Sequence, residues 1–190
     1  MKRTTSLLLA LLPLLCACGG GDDVRAFSTL YREAQGITAT ATVNTLIGDV
    51  AMSFTFEYRK AGEEAIVAIQ APEALRGINA KLLEGADGAV FIDYQGASVE
   101  TLLPGIPGFS PADALHGVID DLALSLPEAE SADAWGGIDC LRLTFGSEAD
   151  GVRLMKQVWL NRENGAVCHA QFFVDEQLCM SLEVTALTLF

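Results

Sequence analysis

The sequence predicts a mainly β, α+β domain: a curved antiparallel half-barrel of about ten strands with helices packed on its concave face. Three observations predict it. Apolar residues alternate with period two over most of the chain. The alternating runs are short and joined by tight turns, as in antiparallel hairpins. One amphipathic helix is inserted past mid-chain, and its apolar stripe needs a sheet face to cover it.

The first element is a short helix. Asp22 or Asp23 can cap it, Phe27, Leu30, Tyr31 and Ala34 recur at helical spacing, and Gly36 stops it. The period then changes to two. Ile37, Ala39, Ala41, Val43 and Ile47 alternate with threonines and Asn44, and Gly48-Asp49 is a two-residue turn. The return strand carries Val50, Met52, Phe54, Phe56 and Tyr58 on one face. With Ile47 opposite Val50, the register places Val43 against Phe54, Ala41 against Phe56 and Ala39 against Tyr58. Both apolar stripes then share a side, small residues facing large ones.

Further strands are expected over 65–71, ended by Pro72, then over 78–83 and 89–94 around Ala86-Asp87-Gly88, and over 98–103 after Gln95-Gly96. Pro104 to Gly108 breaks the pattern. Ser110-Pro111-Ala112-Asp113 starts the main helix, with Ser110 as cap. Leu115, Val118, Ile119 and Leu122 form its apolar face, with His116, Asp120 and Asp121 on a solvated one. Residues 127–134 read as an acidic loop. The last third is a meander of strands over 138–145, 152–160, 166–174 and 178–189. A two-residue turn at Asp175-Glu176 sets Val174 opposite Gln177, Phe172 opposite Cys179 and Cys168 opposite Glu183.

The N-terminus reads as a lipoprotein signal. Lys2 and Arg3 precede an apolar run, Thr4 to Leu15, too short to span a bilayer, and Leu15-Cys16-Ala17-Cys18 ends it. Residues 1–17 are therefore expected to be removed. Residues 18–23 become a lipidated Cys18 with a flexible tether, and 24–190 form the folded domain. A covalent diacylglycerol on Cys18 is the lipid group expected, with no other cofactor. The location is extracytoplasmic, anchored to the plasma membrane, or to the outer membrane in a Gram-negative host.

The chain has 25 acidic and 12 basic residues, a net charge of −13. Loss of the signal takes two of the basic residues and brings the charge near −15. Such a field excludes a nucleic-acid partner and a second, electrostatic contact with anionic headgroups. It suits a basic envelope protein, or serves solubility alone. Cys140, Cys168 and Cys179 are an odd set beyond the signal, so they read as buried free thiols rather than a disulfide framework. A zinc site with His169 lacks any C-x-x-C pair.

Enzyme motifs are missing: the two histidines form no H-E-x-x-H, and there is no G-x-S-x-G, S-x-x-K or P-loop. Asp120 and Asp121 are adjacent on a helix and point about 100° apart, which does not suit paired acid–base work. His116 reads as a surface residue, His169 as solvent-facing, and Trp135 and Trp159 as core or rim aromatics. No catalytic residue and no metal ligand is expected.

The opening helix, the strand pair from Ile37 to Tyr58, Ala71-Pro72-Glu73 with Gly77-Ile78, the Ser110-Pro111 helix, Val158 to Gly165 and the final apolar hairpin together resemble the LolA/LolB-like superfamily of lipoprotein carriers and receptors. They are also similar to GerS-type spore-germination lipoproteins, and the resemblance covers about residues 24–190. It implies a half-barrel with helices in its concavity and an apolar cavity that takes acyl chains, or a scaffold that binds proteins. LolA itself is not lipidated, so Cys18 favours receptor-like or regulator-like relatives. The expected function is a membrane-anchored, non-catalytic protein binding a lipid or a lipoprotein acyl chain. Phe54, Phe56, Leu115 and Ile119 are the candidates for lining that cavity, and the same four serve equally well as plain core. The alternative is a protein-binding regulator of a cell-envelope or spore-cortex enzyme.

Overall fold

The computed structural model describes residues 20–47, 50–83, 89–102 and 106–190. The expected signal segment, Cys18, and the turns at Gly48-Asp49 and Ala86-Asp87-Gly88 lie outside these residues. The chain forms helix α1 (Gly20–Glu33), strands β1 (Gly36–Ile47), β2 (Val50–Ala61), β3 (Glu64–Ala71), β4 (Asn79–Leu83), β5 (Ala89–Tyr94) and β6 (Ala97–Leu102), helix α2 (Ala114–Leu124), and strands β7 (Ala129–Trp135), β8 (Ile138–Ala149), β9 (Val152–Asn161), β10 (Val167–Val174) and β11 (Gln177–Leu189). All eleven strands join one antiparallel sheet in the order β6-β5-β4-β3-β2-β1-β11-β10-β9-β8-β7. The sheet does not close, so it is a curved half-barrel with β6 and β7 as its edges.

Alternation sets the central hairpin. Ile47 pairs with Val50, Val43 with Phe54, Ala41 with Phe56 and Ala39 with Tyr58, the register that small-opposite-large packing requires. The inward residues of β1 and β2 meet those of β8 to β11 and the apolar face of α2 in a single core. Val43, Ala41, Phe172 and Leu182 from the sheet and Leu115, Val118, Ile119 and Leu122 from α2 are at most 2% exposed.

Helix α1 begins at Gly20, not after an Asp22 or Asp23 cap. Both aspartates fall in the first turn, where the helix dipole favours them. Part of the expected tether is thus helical. Asp23 pairs with Arg162 at 3.1 Å, which fixes this end of the helix to the β9–β10 loop. Further along, Tyr31 is 3% exposed, and its hydroxyl donates to Gly165 O (2.9 Å) and accepts from Val167 N–H (3.2 Å). Burial pushes its phenol well above the usual range, so it stays a donor. Replacing Tyr31 with phenylalanine strands the Val167 N–H and should cost about 1–3 kcal/mol in denaturant melts.

Two expectations are corrected here. The segment read as an acidic loop over 127–134 is mostly strand β7, whose residues pair along β8 from Ala129↔Thr144 to Trp135↔Ile138. Its Ala-Glu-Ser-Ala-Asp composition has little strand preference of its own, and the ladder with β8 supplies what the sequence lacks. The β10–β11 hairpin starts in the expected register at Val174↔Gln177, but a bulge between Phe172 and Phe173 shifts the rest. Phe172 then faces Met180 and His169 faces Glu183. Cys179 is the extra residue, and its thiol donates to Phe172 O at 3.2 Å. All three cysteines among the described residues are free.

Candidate functional site

The concave side is the candidate site, and it is built by α2 and the strap of residues 106–113 that leads into it. The strap closes on Asp113, which is 6% exposed. Its carboxylate accepts from Gly108 N–H (2.8 Å), Ser110 N–H (2.9 Å) and the Ser110 hydroxyl (2.8 Å). The expected helix start is corrected accordingly. The α-helix begins at Ala114, Ser110 donates its hydroxyl instead of capping with it, and Asp113 supplies the returning half of a capping box.

Two polar clamps fasten α2 to the sheet. On one side, the Tyr58 hydroxyl of β2 is hydrogen-bonded to His116 Nδ1 (2.9 Å). His116 Nε2 lies 3.3 Å from Asp120, which also accepts from Lys60 Nζ at 3.2 Å. On the other side, Lys156 rises from the floor of β9, 8% exposed, and donates to Asp121 at 2.7 Å and to Gly117 O at 3.4 Å. Its ammonium lies 5.4 Å from the Phe109 ring centre, and Phe109 stands edge-on to Phe172. The polar face of α2, expected to be solvated, is therefore turned against the sheet's own polar residues.

The strap and α2 touch backbone to backbone at Gly108 and Gly117. A Cβ on Gly117 would lie 2.7 Å from Gly108 Cα and 3.1 Å from Lys156 Nζ. Gly117→Ala gains helix propensity yet must push the strap away. The expected result is a net destabilisation of about 1–3 kcal/mol, read from a chemical melt.

The four predicted lining residues are placed differently. Phe56, Leu115 and Ile119 are each 1% exposed in the main core. Phe54 is half-buried, further along β2. Of the four, Ile119 borders a cleft of about 270 Å³ that opens between α1 and α2 at one end of the half-barrel. Ala34, Ile37 and Ala123 make its apolar wall, Lys60 and Asp120 its polar side, and Leu124, 73% exposed, its rim. A larger and more open groove of about 380 Å³ crosses the outer face over Thr38, Thr40, Glu57 and Arg59. The cleft is not legible in the residue pattern, because its walls come from four separate elements, α1, β1, β2 and α2.

A second cluster occupies the outer face. His169, expected to face solvent, is 2% exposed and stacks on Trp135 with ring centres 3.5 Å apart and planes 5° from parallel. Trp159 tilts against both rings, under Arg142, and its indole N–H donates to Asp133. That bond and the Ala134 N–H hold the Asp133 carboxyl below its usual range, the Ala134 contribution being the larger. Neither nitrogen of His169 has a hydrogen-bond partner among the described residues. Burial pulls its pKa down to about 4.

Among the described residues, no three His, Cys, Asp or Glu gather to hold a metal ion, and no helix is long and apolar enough to cross a membrane. No family model and no curated protein matches the chain. Several solved structures are similar to it. An uncharacterized conserved protein from Thermus thermophilus matches at 9% identity with a TM-score of 0.52, over 90% of this chain and 87% of its own. A LolA superfamily protein from Nitrosomonas europaea matches at 13% identity with a TM-score of 0.45, over 90% and 93%. The lipoprotein LppX from Mycobacterium tuberculosis matches at 7% identity with a TM-score of 0.46, over 86% and 92%. At such identities the likeness is one of fold. The open antiparallel sheet with α2 laid in its concavity has the half-barrel architecture that the sequence resemblance implies.

Proposed function

We propose that this protein is a lipid-anchored, extracytoplasmic binding protein that takes an acyl chain of a lipid or lipoprotein into its concave side through the cleft beside Ile119. The observation that carries this reading is the cleft itself. It has an apolar wall leading toward the buried face of α2 and a cationic group, Lys60, at its polar side. Such a site suits a ligand with an apolar chain and an anionic head. Beyond the cleft the space under α2 is filled by Phe56, Leu115 and their neighbours, so a long chain enters only as α2 shifts. The two clamps are suited to that shift: Asp120 and Asp121 are a third and a quarter exposed and can take up water when they part from Lys60 and Lys156. Phe54, Phe56, Leu115 and Ile119 would then line the opened groove. The reading assigns no reaction to these residues, and the anchor would be the diacylglycerol on Cys18.

Filling the cleft tests the proposal. Ala123→Phe places a ring in the opening without emptying any core position. Binding of a dansyl-labelled undecanoic acid is expected to weaken at least about tenfold, the scale of one well-placed ring's worth of lost binding energy, while the melting temperature changes little. Equal affinity in both proteins would place the ligand elsewhere.

A second reading follows from the 25 acidic residues against 12 basic ones: a regulator docking on a basic envelope protein. Its mark is a partner whose association rate falls steeply with salt.

A further inference from the structure

Strand β7 is held lightly, and a buried imidazole lies under it. It pairs on one side only, with β8, and none of its residues is buried. Two of its side chains reach across the sheet. Asp133 accepts from the indole N–H of Trp159 on β9 at 3.1 Å and pairs with Arg142 on β8 at 3.1 Å. Trp135 lies flat on His169 of β10, ring centres 3.5 Å apart and planes 5° from parallel, and helps to keep that ring 2% exposed. The turn from β7 to β8 is Gly136-Gly137, both at positive φ with open space around them, so no side chain resists its flexing.

A proton on this imidazole finds nothing to bond to where the ring sits. Nδ1 and Nε2 have no partner among the described residues. The charged and titratable groups around the ring are Asp133 of β7, Cys140 and Arg142 of β8, Cys168 beside it on β10, and Glu183 across the ladder on β11. The Asp133 carboxylate is already taken by the Ala134 N–H, Trp159 and Arg142, which hold it ionised. Arg142 repels an imidazolium, and the two cysteines bring only weak thiols. Glu183 is exposed and makes no ion pair with the ring.

We propose that β7 is an acid-released flap: protonation of His169 drives Trp135 off the ring, and β7 peels from β8 while the rest of the half-barrel stays folded. The proton enters the opened form, where the imidazole meets water and has its ordinary pKa of 6.5. The closed form keeps the ring neutral down to about 4, because it is buried. The open population therefore grows about tenfold for each pH unit below 6.5 and levels off near 4. Opening bares the backbone edge of β8, which the neutral form keeps paired. The flap stands on the outer-face geometry and is independent of the acyl-binding reading.

Hydrogen exchange of the full chain, corrected for the intrinsic pH dependence of exchange, reads this opening amide by amide. The β7 amides bonded to β8 are expected to exchange at least about tenfold faster than those of β1 and β2, as a locally opening unit does. Their protection should fall about thirtyfold between about pH 7.5 and about pH 5. The fall should begin near 6.5, whereas a carboxylate origin would begin below about 5. That onset is read on the wild-type protein and needs no substitution. His169→Phe keeps a ring under Trp135 and should hold β7 protection within about twofold over the same range. Three results would overturn the flap: β7 exchanging no faster than β1 and β2, which places the opening in global unfolding; β7 protection that does not change with pH; or a fall that persists in His169→Phe.

Discussion

Lys156→Ala is expected to destabilise the protein by about 2–4 kcal/mol, within the range for breaking a largely buried ion pair after allowing for the partial exposure of Asp121. The ammonium is the sheet's polar contact with the Asp121 side of α2. Its loss leaves the Asp121 carboxylate without that 2.7 Å cation, and the shortened side chain opens space beneath Phe109. Lys156→Met keeps most of the volume and should lose less, because Asp121 is a quarter exposed and can hydrate. Urea melts of the two variants separate charge from packing. Equal losses would mean that packing under Phe109 contributes nothing beyond the charge.

The second large effect is a loss of stability on mild acidification, and it comes from His169. Its pKa falls from 6.5 to about 4 on folding, with burial as the main cause. In the unfolded chain the imidazole takes up a proton as the pH drops through about 6.5, while the folded chain resists until about 4. Between those values the unfolded state binds more protons, so stability falls as pH falls, and it is fully present above the unfolded value. The drop amounts to about 3 kcal/mol across this window, or roughly 6–12 °C in melting temperature for a chain of this length. His169→Phe keeps a ring against Trp135 and removes the titration. Its melting temperature should be nearly flat over the same window, apart from what the carboxylates contribute near its lower end. A wild-type curve as flat as the variant's would show that the folded imidazole takes up its proton at the same pH as the unfolded one.

Where a residue pattern was enough to specify a contact, the sequence could be read. The central hairpin is legible because both its strands alternate and its loop length fixes the register. The apolar face of α2 is legible from spacing alone. Strand β7 is not, since alanine, serine and acids carry no alternation, and the cover over His169 was missed with it: Trp135, the last residue of β7, is the ring that buries the imidazole. The bulges at Cys168 and Cys179 leave no mark in composition, so the far half of the last hairpin reads one residue out of register. His116, Asp120 and Asp121 read as a solvated face because helical periodicity shows which residues share a side, not which residues of a distant strand will meet them. Tyr58, Lys60 and Lys156 come from β2 and β9, and only the curvature of the sheet brings them to α2.

The central claim is that the concave side holds an acyl chain. Native mass spectrometry of the protein, purified from its host without denaturation, measures this directly. The predicted result is an added mass of one acyl-bearing molecule that disappears on denaturation, whereas a covalent diacylglycerol on Cys18 would persist. A mass that is the same before and after denaturation, even after incubation with excess fatty acid and phospholipid, would contradict the claim.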